Sequence, residues 1–227
     1  MINFKLIELY EKYLPNLEAI FEDTEDIDGP LLMSCFEEDY LASKYKILFV
    51  GKEPNGWIGY YSSDMPTLLK RYEDFGLCTQ NGSAYTNFWQ YVYNFNLEIN
   101  PNSQGKKNFL WTNTSKCSFN GKALVWDDHK KFVELFNVLE KEIEITNPDI
   151  VVFFTGPSYD DKIKIQFSGE VLFEQVEYDI PINELAKVIH SSLPFHSYRV
   201  YHPDYMAIYN PEKASLMETI KKQIEKV

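Results

Sequence analysis

The run IVVFF, residues 150–154, has no polar residue at any position. A strand with one face in water alternates apolar and polar side chains, so a run that is apolar throughout fits a sheet covered on both faces. Four other runs, rich in β-branched or aromatic residues and bounded by Gly, Pro, Asn or Ser, are also predicted to be strands. They are KILFV (46–50), NFLWTN (108–113), KVIH (187–190) and YRVYH (198–202).

Helices are predicted between these strands. Apolar residues recur every three or four positions over residues 2–22, although Pro15 interrupts the pattern. The other predicted helices are NFWQYVYNF (87–95), KFVELFNVLEKEIEI (131–145) with Asp127 and Asp128 as caps, and the C-terminal segment 210–227 with Asn210 as its cap. The alternation of strands and helices predicts an α/β fold, a three-layer α/β/α arrangement around a central, mainly parallel sheet.

A chain of 227 residues is predicted to form a single domain over residues 1–227. Within it we distinguish an acidic helical segment (1–45), a core that carries the motifs (46–207) and the C-terminal helix (210–227). No apolar run approaches the roughly 20 residues that span a bilayer, and the N-terminus does not resemble a signal peptide. We therefore expect a cytoplasmic protein without membrane contact, and a monomer.

Cysteine and histidine spacing argues against a metal or another cofactor. Cys35, Cys78 and Cys117 are odd in number and form no C-x-x-C pair, which disfavours a disulfide framework, a four-cysteine zinc site and an iron–sulfur cluster. The histidines His190, His196 and His202 are six residues apart, a spacing that does not share one helical face.

The charge of −12 disfavours a nucleic-acid partner, since phosphate binding relies on Lys and Arg. The charge is uneven, however. Residues 46–126 hold eight basic and five acidic side chains, a net charge of +3, whereas residues 1–45 hold three basic and eleven acidic ones. We therefore expect Lys52, Lys106, Lys107 and Lys116 to surround the site.

Polar residues collect where four predicted strands end. They are GKEPNG (51–56), TNTSKC (112–117), TGPSY (155–159) and HPDYM (202–206). The carboxyl ends of strands in an open α/β sheet form the ligand crevice, so these clusters are predicted to converge. The long connection 62–85 is predicted to contribute to the same site, because long loops in compact domains are often functional.

Common nucleotide-binding and hydrolase motifs are missing: the chain has no G-x-x-x-x-G-K-[ST], G-x-G-x-x-G or G-x-S-x-G. What remains is a carboxylate, Glu53, an amide, Asn113, and an imidazole, His202. A carboxylate orients water or stabilises a cation, an amide reads a base edge, and a histidine stabilises a leaving group. This set suits cleavage of an N-glycosidic bond.

These motifs resemble those of the uracil-DNA glycosylase superfamily. VGKEPNGW (50–57) is similar to the family's first strand motif, LWTNTSKC (110–117) resembles its base-reading strand, and YHPDYM (201–206) resembles its final His-Pro-Ser loop. TNFWQYV (86–92) looks like a helix start of the mismatch-specific branch. The resemblance covers roughly residues 45–207 as short motifs in the family's order.

The resemblance implies a role for each matching residue. Glu53 and His202 are expected to be catalytic, and Asn113 to bind the base together with Gly51, Lys52, Pro54 and Asn55. Tyr60, Tyr61 and Phe75 are candidates to stack on the base, while Lys116 and Tyr205 or Met206 are expected to contact DNA. The implied partner is DNA, including single-stranded DNA, with a flipped base.

Two departures from the family pattern keep a second function open. Glu53 stands where the family has Asp or Asn, and Asp204 replaces a serine that donates to a DNA phosphate. The first hypothesis is therefore a glycosylase acting on uracil or a related damaged base. The second is a domain of the same type that binds nucleic acid, a nucleotide or a protein without cleaving DNA.

Overall fold

A computed structural model describes residues 1–22, 27–57, 64–78 and 86–226 of the chain. The strands of the described residues are β1 (Ile27–Asp28), β2 (Ile47–Gly51), β3 (Phe109–Asn113), β4 (Ser118–Phe119), β5 (Ile150–Phe154), β6 (Leu172–Gln175), β7 (Leu185–Ile189) and β8 (His196–Val200). The α-helices are α1 (Ile2–Glu22), α2 (Glu37–Leu41), α3 (Met65–Phe75), α4 (Asn87–Ile99), α5 (Trp126–Leu135), α6 (Leu139–Thr146), α7 (Asp160–Lys164) and α8 (Ser215–Glu225).

Six strands form the central sheet in the order β3-β2-β5-β8-β7-β6. The first four are parallel to one another, and β7 and β6 continue the sheet in antiparallel pairing. Every residue of β2, β3 and β5 is buried. The prediction of an α/β fold with a mainly parallel sheet is therefore confirmed.

Helices cover both faces of this sheet, and alternation along β3 shows which helices lie on which face. The indole of Trp111 packs on Phe75 at the end of α3 and on Trp89 of α4. Thr112 points the opposite way and donates a hydrogen bond to Glu142 of α6. Tyr10 of α1 donates to the same carboxylate, so α1 and α6 belong to the second face.

The region 131–145, predicted as one helix, is two helices, α5 and α6, joined by residues 136–138. Phe136 and Val138 are both fully buried, and residues two apart project from nearly opposite sides of a helix. Asp127 and Asp128 lie in the first turn of α5 rather than at its cap position, which Val125 occupies.

The C-terminal helix begins later than predicted. Residues Pro211–Ala214 form a 3₁₀ turn, and α8 starts at Ser215. The Asn210 side chain does not cap this helix but donates to the Tyr205 hydroxyl at 2.6 Å. Leu216, Ile220 and Ile224 recur every four residues along α8 and form its buried apolar stripe.

The long connection between β2 and α4 contains α3, which the sequence pattern did not predict. Asp64 caps this helix by accepting from the Thr67 amide at 2.9 Å, and Gly76 ends it with a left-handed backbone at φ 62°. As a result Phe75, at the last turn of α3, reaches the aromatic side chains above β3.

Candidate functional site

The four polar clusters lie at one edge of the sheet, because their strands are parallel neighbours. Gly51 at the end of β2 pairs with Asn113 at the end of β3. Beyond that pair the Thr114 amide donates to the Gly51 carbonyl at 2.9 Å, and the Ser115 amide donates to the Lys52 carbonyl at 2.8 Å. These bonds fix the two loops against each other, so the backbone around Glu53 and Asn113 is held in place.

Gly51 is needed where it stands because the Asn113 side chain lies directly over it. A Cβ at residue 51 would overlap the Asn113 amide oxygen and would lie 3.5 Å from Trp111 Nε1. Asn113 is 2% exposed, yet its Nδ2 has no hydrogen-bond partner among the described residues. A buried donor of this kind is costly unless a ligand or a water molecule pairs with it.

Aromatic side chains surround this amide on the face of the sheet that α3 and α4 cover. Trp111 lies 5.9 Å from Trp57, 5.4 Å from Phe75 and 6.3 Å from Phe88, measured between ring centroids. Phe88 continues the wall to His202, with a centroid distance of 5.8 Å and a 26° angle between the rings. The site is therefore apolar with a few polar groups, as ligand pockets usually are.

Glu53 is held by a residue that the sequence reasoning had not singled out. The hydroxyl of Tyr159, which follows β5, donates a hydrogen bond to Glu53 Oε2. Burial, followed by the contact with Glu53, raises the pKa of Tyr159, so the phenol stays protonated and remains a donor. Lys52 and Lys162 place their ammonium groups 5.3 and 4.7 Å from the Tyr159 ring centroid.

His202 is neutral at pH 7. Burial lowers its pKa from 6.5 to about 4, and the positive charge of Lys52 contributes to the decrease, while Asp204 opposes it. The Asp204 backbone amide donates to His202 Nδ1 at 3.2 Å. Because Nδ1 accepts this bond, the single ring proton is on Nε2, and His202 offers an N–H donor without a positive charge.

Asp204 itself is held by α4. Its Oδ1 accepts a hydrogen bond from the Asn87 side chain at 2.9 Å. This contact joins the loop after β8 to the first turn of α4, the helix that also supplies Phe88.

Two residues predicted to contact DNA are buried, and these predictions are wrong. Lys116 is 2% exposed, because its ammonium group forms an ion pair with Glu142 and a hydrogen bond with Thr112. Met206 is 0% exposed and belongs to the hydrophobic core. Tyr205 is 37% exposed and lies 4.4 Å from the Tyr201 ring, so it remains accessible.

The prediction that four lysines surround the site is also wrong for Lys106. Lys106 lies before β3, at the opposite end of the strand from Asn113, and lines a separate cavity of about 270 Å³ with Asp39 and Asn100. Lys107 packs over the Phe36 ring at 4.2 Å. Lys52 remains near the predicted site residues.

The other predicted residues have mixed placements. Pro54 is buried, whereas Asn55 is exposed with its amide oxygen near Gly121. Phe75 belongs to the aromatic wall. Tyr60 and Tyr61 lie outside the described residues.

Four residues of the site were not predicted from the sequence: Tyr159, Lys162, Trp57 and Trp111. For two of these residues the sequence does contain a signal. Tyr159 ends the TGPSY cluster after β5, and Trp111 is two residues before Asn113, a spacing that places both side chains on one face of β3.

Within the described ranges, no group of three or more His, Cys, Asp or Glu side chains is arranged to hold a metal ion. In the same part of the chain, no helix combines the length and apolar character required to cross a bilayer.

No protein-family model matches the chain. No curated protein shows significant similarity to it.

Proposed function

We propose that this protein is a hydrolase of the uracil-DNA glycosylase type, which cleaves the N-glycosidic bond of uracil or a related damaged base in DNA. One observation carries the proposal: Asn113, whose buried Nδ2 has no partner among the described residues, ends β3, and Glu53 and His202 follow β2 and β8 at the same edge of the parallel part of the sheet. The motif resemblance to that superfamily supports it independently.

The reaction that these groups suit is a displacement by water at the sugar C1′ atom. The bond from C1′ to the base nitrogen breaks, and its electron pair leaves with the base. Water supplies the new C1′–O bond, and one of its protons passes to Glu53. Asn113 holds the base edge throughout, so the base leaves from a fixed position.

His202 serves the leaving group in this scheme. As the bond breaks, negative charge develops on the base, and a donor aimed at that charge lowers the barrier. The Nε2–H of a neutral His202 provides such a donor. Because the pKa of His202 is about 4, the group retains this form from neutral to mildly acidic pH.

Glu53 has one carboxylate oxygen engaged and one remaining for water. Tyr159 donates to Oε2, which leaves Oε1 as an acceptor. The same carboxylate stabilises positive charge on the sugar as the base departs. Tyr159 therefore acts as a positioning residue for Glu53.

A second candidate function, binding without cleavage, is favoured by the carboxylate of Asp204 beside the site. Asp204 is half exposed and is held in place by Asn87. A fixed carboxylate at the position where the family has a phosphate-contacting serine repels a DNA backbone. In this case the site holds a base or nucleotide without catalysing hydrolysis.

A cleavage assay separates the two functions. Purified protein is incubated in excess over single- and double-stranded oligonucleotides that carry uracil, hypoxanthine or xanthine. Asn113→Ala, Asn113→Asp, Glu53→Gln and His202→Ala should each reduce the excision rate on the order of a hundredfold, with a smaller effect on DNA binding. Asn102→Ala, in an exposed turn beside the other cavity, is the control and should retain the wild-type rate.

A wild-type protein that excises none of these bases would overturn the glycosylase proposal. Oligonucleotide or nucleotide binding by that inert protein would then support the second function. Excision that survives the variants at residues 53, 113 and 202 would show that the chemistry occurs elsewhere.

A further inference from the structure

Two parts of Asp204 compete for the same nitrogen of His202. The Asp204 backbone amide donates to Nδ1 at 3.2 Å, and Oδ2 of the Asp204 carboxylate lies 3.5 Å from that nitrogen. The amide donates to Nδ1 only when Nδ1 carries no proton, whereas the carboxylate bonds to Nδ1 only when Nδ1 carries one. The proton of a neutral His202 therefore lies on Nε2 in the first arrangement and on Nδ1 in the second.

A residue of another element holds the Asp204 side chain in the first arrangement. Oδ1 accepts a hydrogen bond from the Asn87 side chain at 2.9 Å, across 117 positions of the sequence. Asn87 is the first residue of α4. This bond restrains the carboxylate, and the distance of 3.5 Å from Oδ2 to Nδ1 is too long for a strong hydrogen bond.

The same turn of α4 also contacts the imidazole directly. Phe88 stacks on the His202 ring with a centroid distance of 5.8 Å and an angle of 26° between the planes. Among the described residues, the charged groups that act on this ring are Lys52, which opposes its protonation, and Asp204, which favours it. A shift of the Asp204 carboxylate is therefore expected to change where the ring holds its proton.

We propose that Asn87 is a positioning residue, which keeps the Asp204 carboxylate from drawing the ring proton to Nδ1 and so leaves Nε2–H as the donor of His202. The part of this inference that concerns the reaction rests on the proposed function, since Nε2–H serves the departing base there. Carboxylates that contact a histidine commonly fix its tautomer, so an Asp at this position needs such a restraint. The inference assigns that task to α4.

The tautomer of His202 is measured by long-range ¹H–¹⁵N correlation spectra of the imidazoles at pH 7. The chain has four histidines, and the His202 signals are identified by their loss in His202→Ala. We expect the wild-type ring to carry its proton on Nε2. In Asn87→Ala we expect a measurable population with the proton on Nδ1. The pKa of His202 should also rise by about one unit, because the released carboxylate approaches the ring.

Asn210→Ala is the matched control. Asn210 also holds a side chain of this loop, but its described bond is to the Tyr205 hydroxyl at 2.6 Å. This variant should keep the wild-type tautomer and pKa. The double variant Asn87→Ala with Asp204→Ala retains the backbone amide and lacks the competing carboxylate, so the proton should return to Nε2. If Asn87→Ala fails to fold, Asn87→Asp keeps the shape of the side chain and removes the donor.

The inference is overturned if the wild-type ring carries its proton on Nδ1, or if loss of the Asn87 donor leaves the tautomer and the pKa unchanged. It is also overturned if Asn210→Ala changes both as much, since general loosening of the loop would then explain the effect. None of these results depends on catalysis.

Excision of uracil by excess protein tests the consequence for the reaction. The rate should fall about tenfold or more in Asn87→Ala and recover in the double variant, as expected when a donor to the leaving group is lost and restored. A wild-type rate in a variant whose ring proton has moved to Nδ1 would overturn the role in the reaction. A wild-type protein that excises no base but shows the expected tautomers would reject the glycosylase and keep the role of Asn87.

Discussion

Gly51 lies directly under the Asn113 side chain, and one methyl group at residue 51 is enough to disturb this arrangement. The Asn113 oxygen occupies the space that any Cβ at residue 51 would need. Both residues end fully buried strands, so the backbone has little freedom to move apart. The position of the amide thus depends on the absence of a side chain on the neighbouring strand.

Gly51→Ala should therefore displace the Asn113 side chain and destabilise the fold by about 1–3 kcal/mol, the usual range for overpacking a core. Urea denaturation measures the change in the free energy of unfolding. The control is the double variant Gly51→Ala with Asn113→Ala, in which the overlapping oxygen is gone. A Gly51→Ala protein as stable as wild type would contradict the close approach.

Because the pKa of His202 is lowered in the folded protein, the stability of the fold is expected to depend on pH. The unfolded chain protonates this ring near pH 6.5, whereas the folded protein does so only near pH 4. Above about pH 6.5 both states are neutral, and the contribution of His202 to stability is fully present. As the pH falls towards 4 the unfolded state binds the proton first, so this contribution is lost.

Lys52→Met should raise the pKa of His202, because it removes a positive charge that opposes protonation. The value should stay below 6.5, since burial is the larger cause of the decrease. NMR titration of the imidazole measures the pKa of His202 in the wild-type protein and in Lys52→Met. Lys70→Met, which removes an exposed lysine elsewhere, is the control. A pKa near 6.5 in the wild-type protein would contradict the burial of His202.

At the scale of elements, α6 is tied to β3 by a buried ion pair. Glu142 is fully buried and accepts from Lys116, Thr112 and Tyr10. Burial lowers the pKa of Lys116, and the contact with Glu142 opposes that decrease. The loop after Asn113 is thus held by the ion pair between Lys116 and Glu142 of α6, a helix on the other face of the sheet from Trp111.

Lys116→Met should destabilise the protein by about 3–5 kcal/mol, because Glu142 would remain buried without its counter-charge. The double variant Lys116→Met with Glu142→Leu should recover most of this loss. Lys70→Met, which breaks the exposed pair with Asp74, should change stability by less than about 1 kcal/mol. Chemical denaturation of the three variants tests the comparison, and equal losses for the exposed and buried pairs would contradict it.

The strands that sequence patterns predicted best are those with no polar residue facing water. β2 and β5 contain no polar side chain, β3 begins with three apolar residues, and all three strands are fully buried, so composition located them. β8 starts two residues earlier than predicted. His196 and Ser197 open it, and these polar residues obscured its beginning.

Elements and contacts that depend on distant partners were not predictable in this way. β6 is largely exposed and exists through its pairing with β7. From the sequence, Lys116 was predicted to be a surface cation, because its partner Glu142 comes close to it only in the folded chain. For the same reason Tyr159 was not recognised, since its partner Glu53 is 106 residues away.

At the scale of the whole molecule, the negative charge limits how strongly the site can hold a nucleic acid. The chain carries a net charge of −12, and the cations described beside Glu53 and His202 are Lys52 and Lys162. Binding is therefore expected to rely on contacts to the base more than on contacts to phosphates.

Single-stranded DNA binding should show a shallow salt dependence. If Lys52 and Lys162 each neutralise one phosphate, the slope of log K against log salt should be about −1.4, and Lys52→Met should reduce its magnitude by about 0.7. Fluorescence anisotropy over a range of salt concentrations measures both slopes. A much steeper wild-type slope would show that other cations take part.

The anchoring of Glu142 also bears on how fast the chain folds. Its three partners are residue 10 and residues 112 and 116, so the carboxylate leaves water only after segments as far as 132 residues apart have met. Such long-range contacts slow folding, and buried ion pairs elsewhere have been replaced by apolar groups with faster folding as a result. Docking of α6 is therefore expected to be among the late steps, after the strands beneath Asn113 have paired.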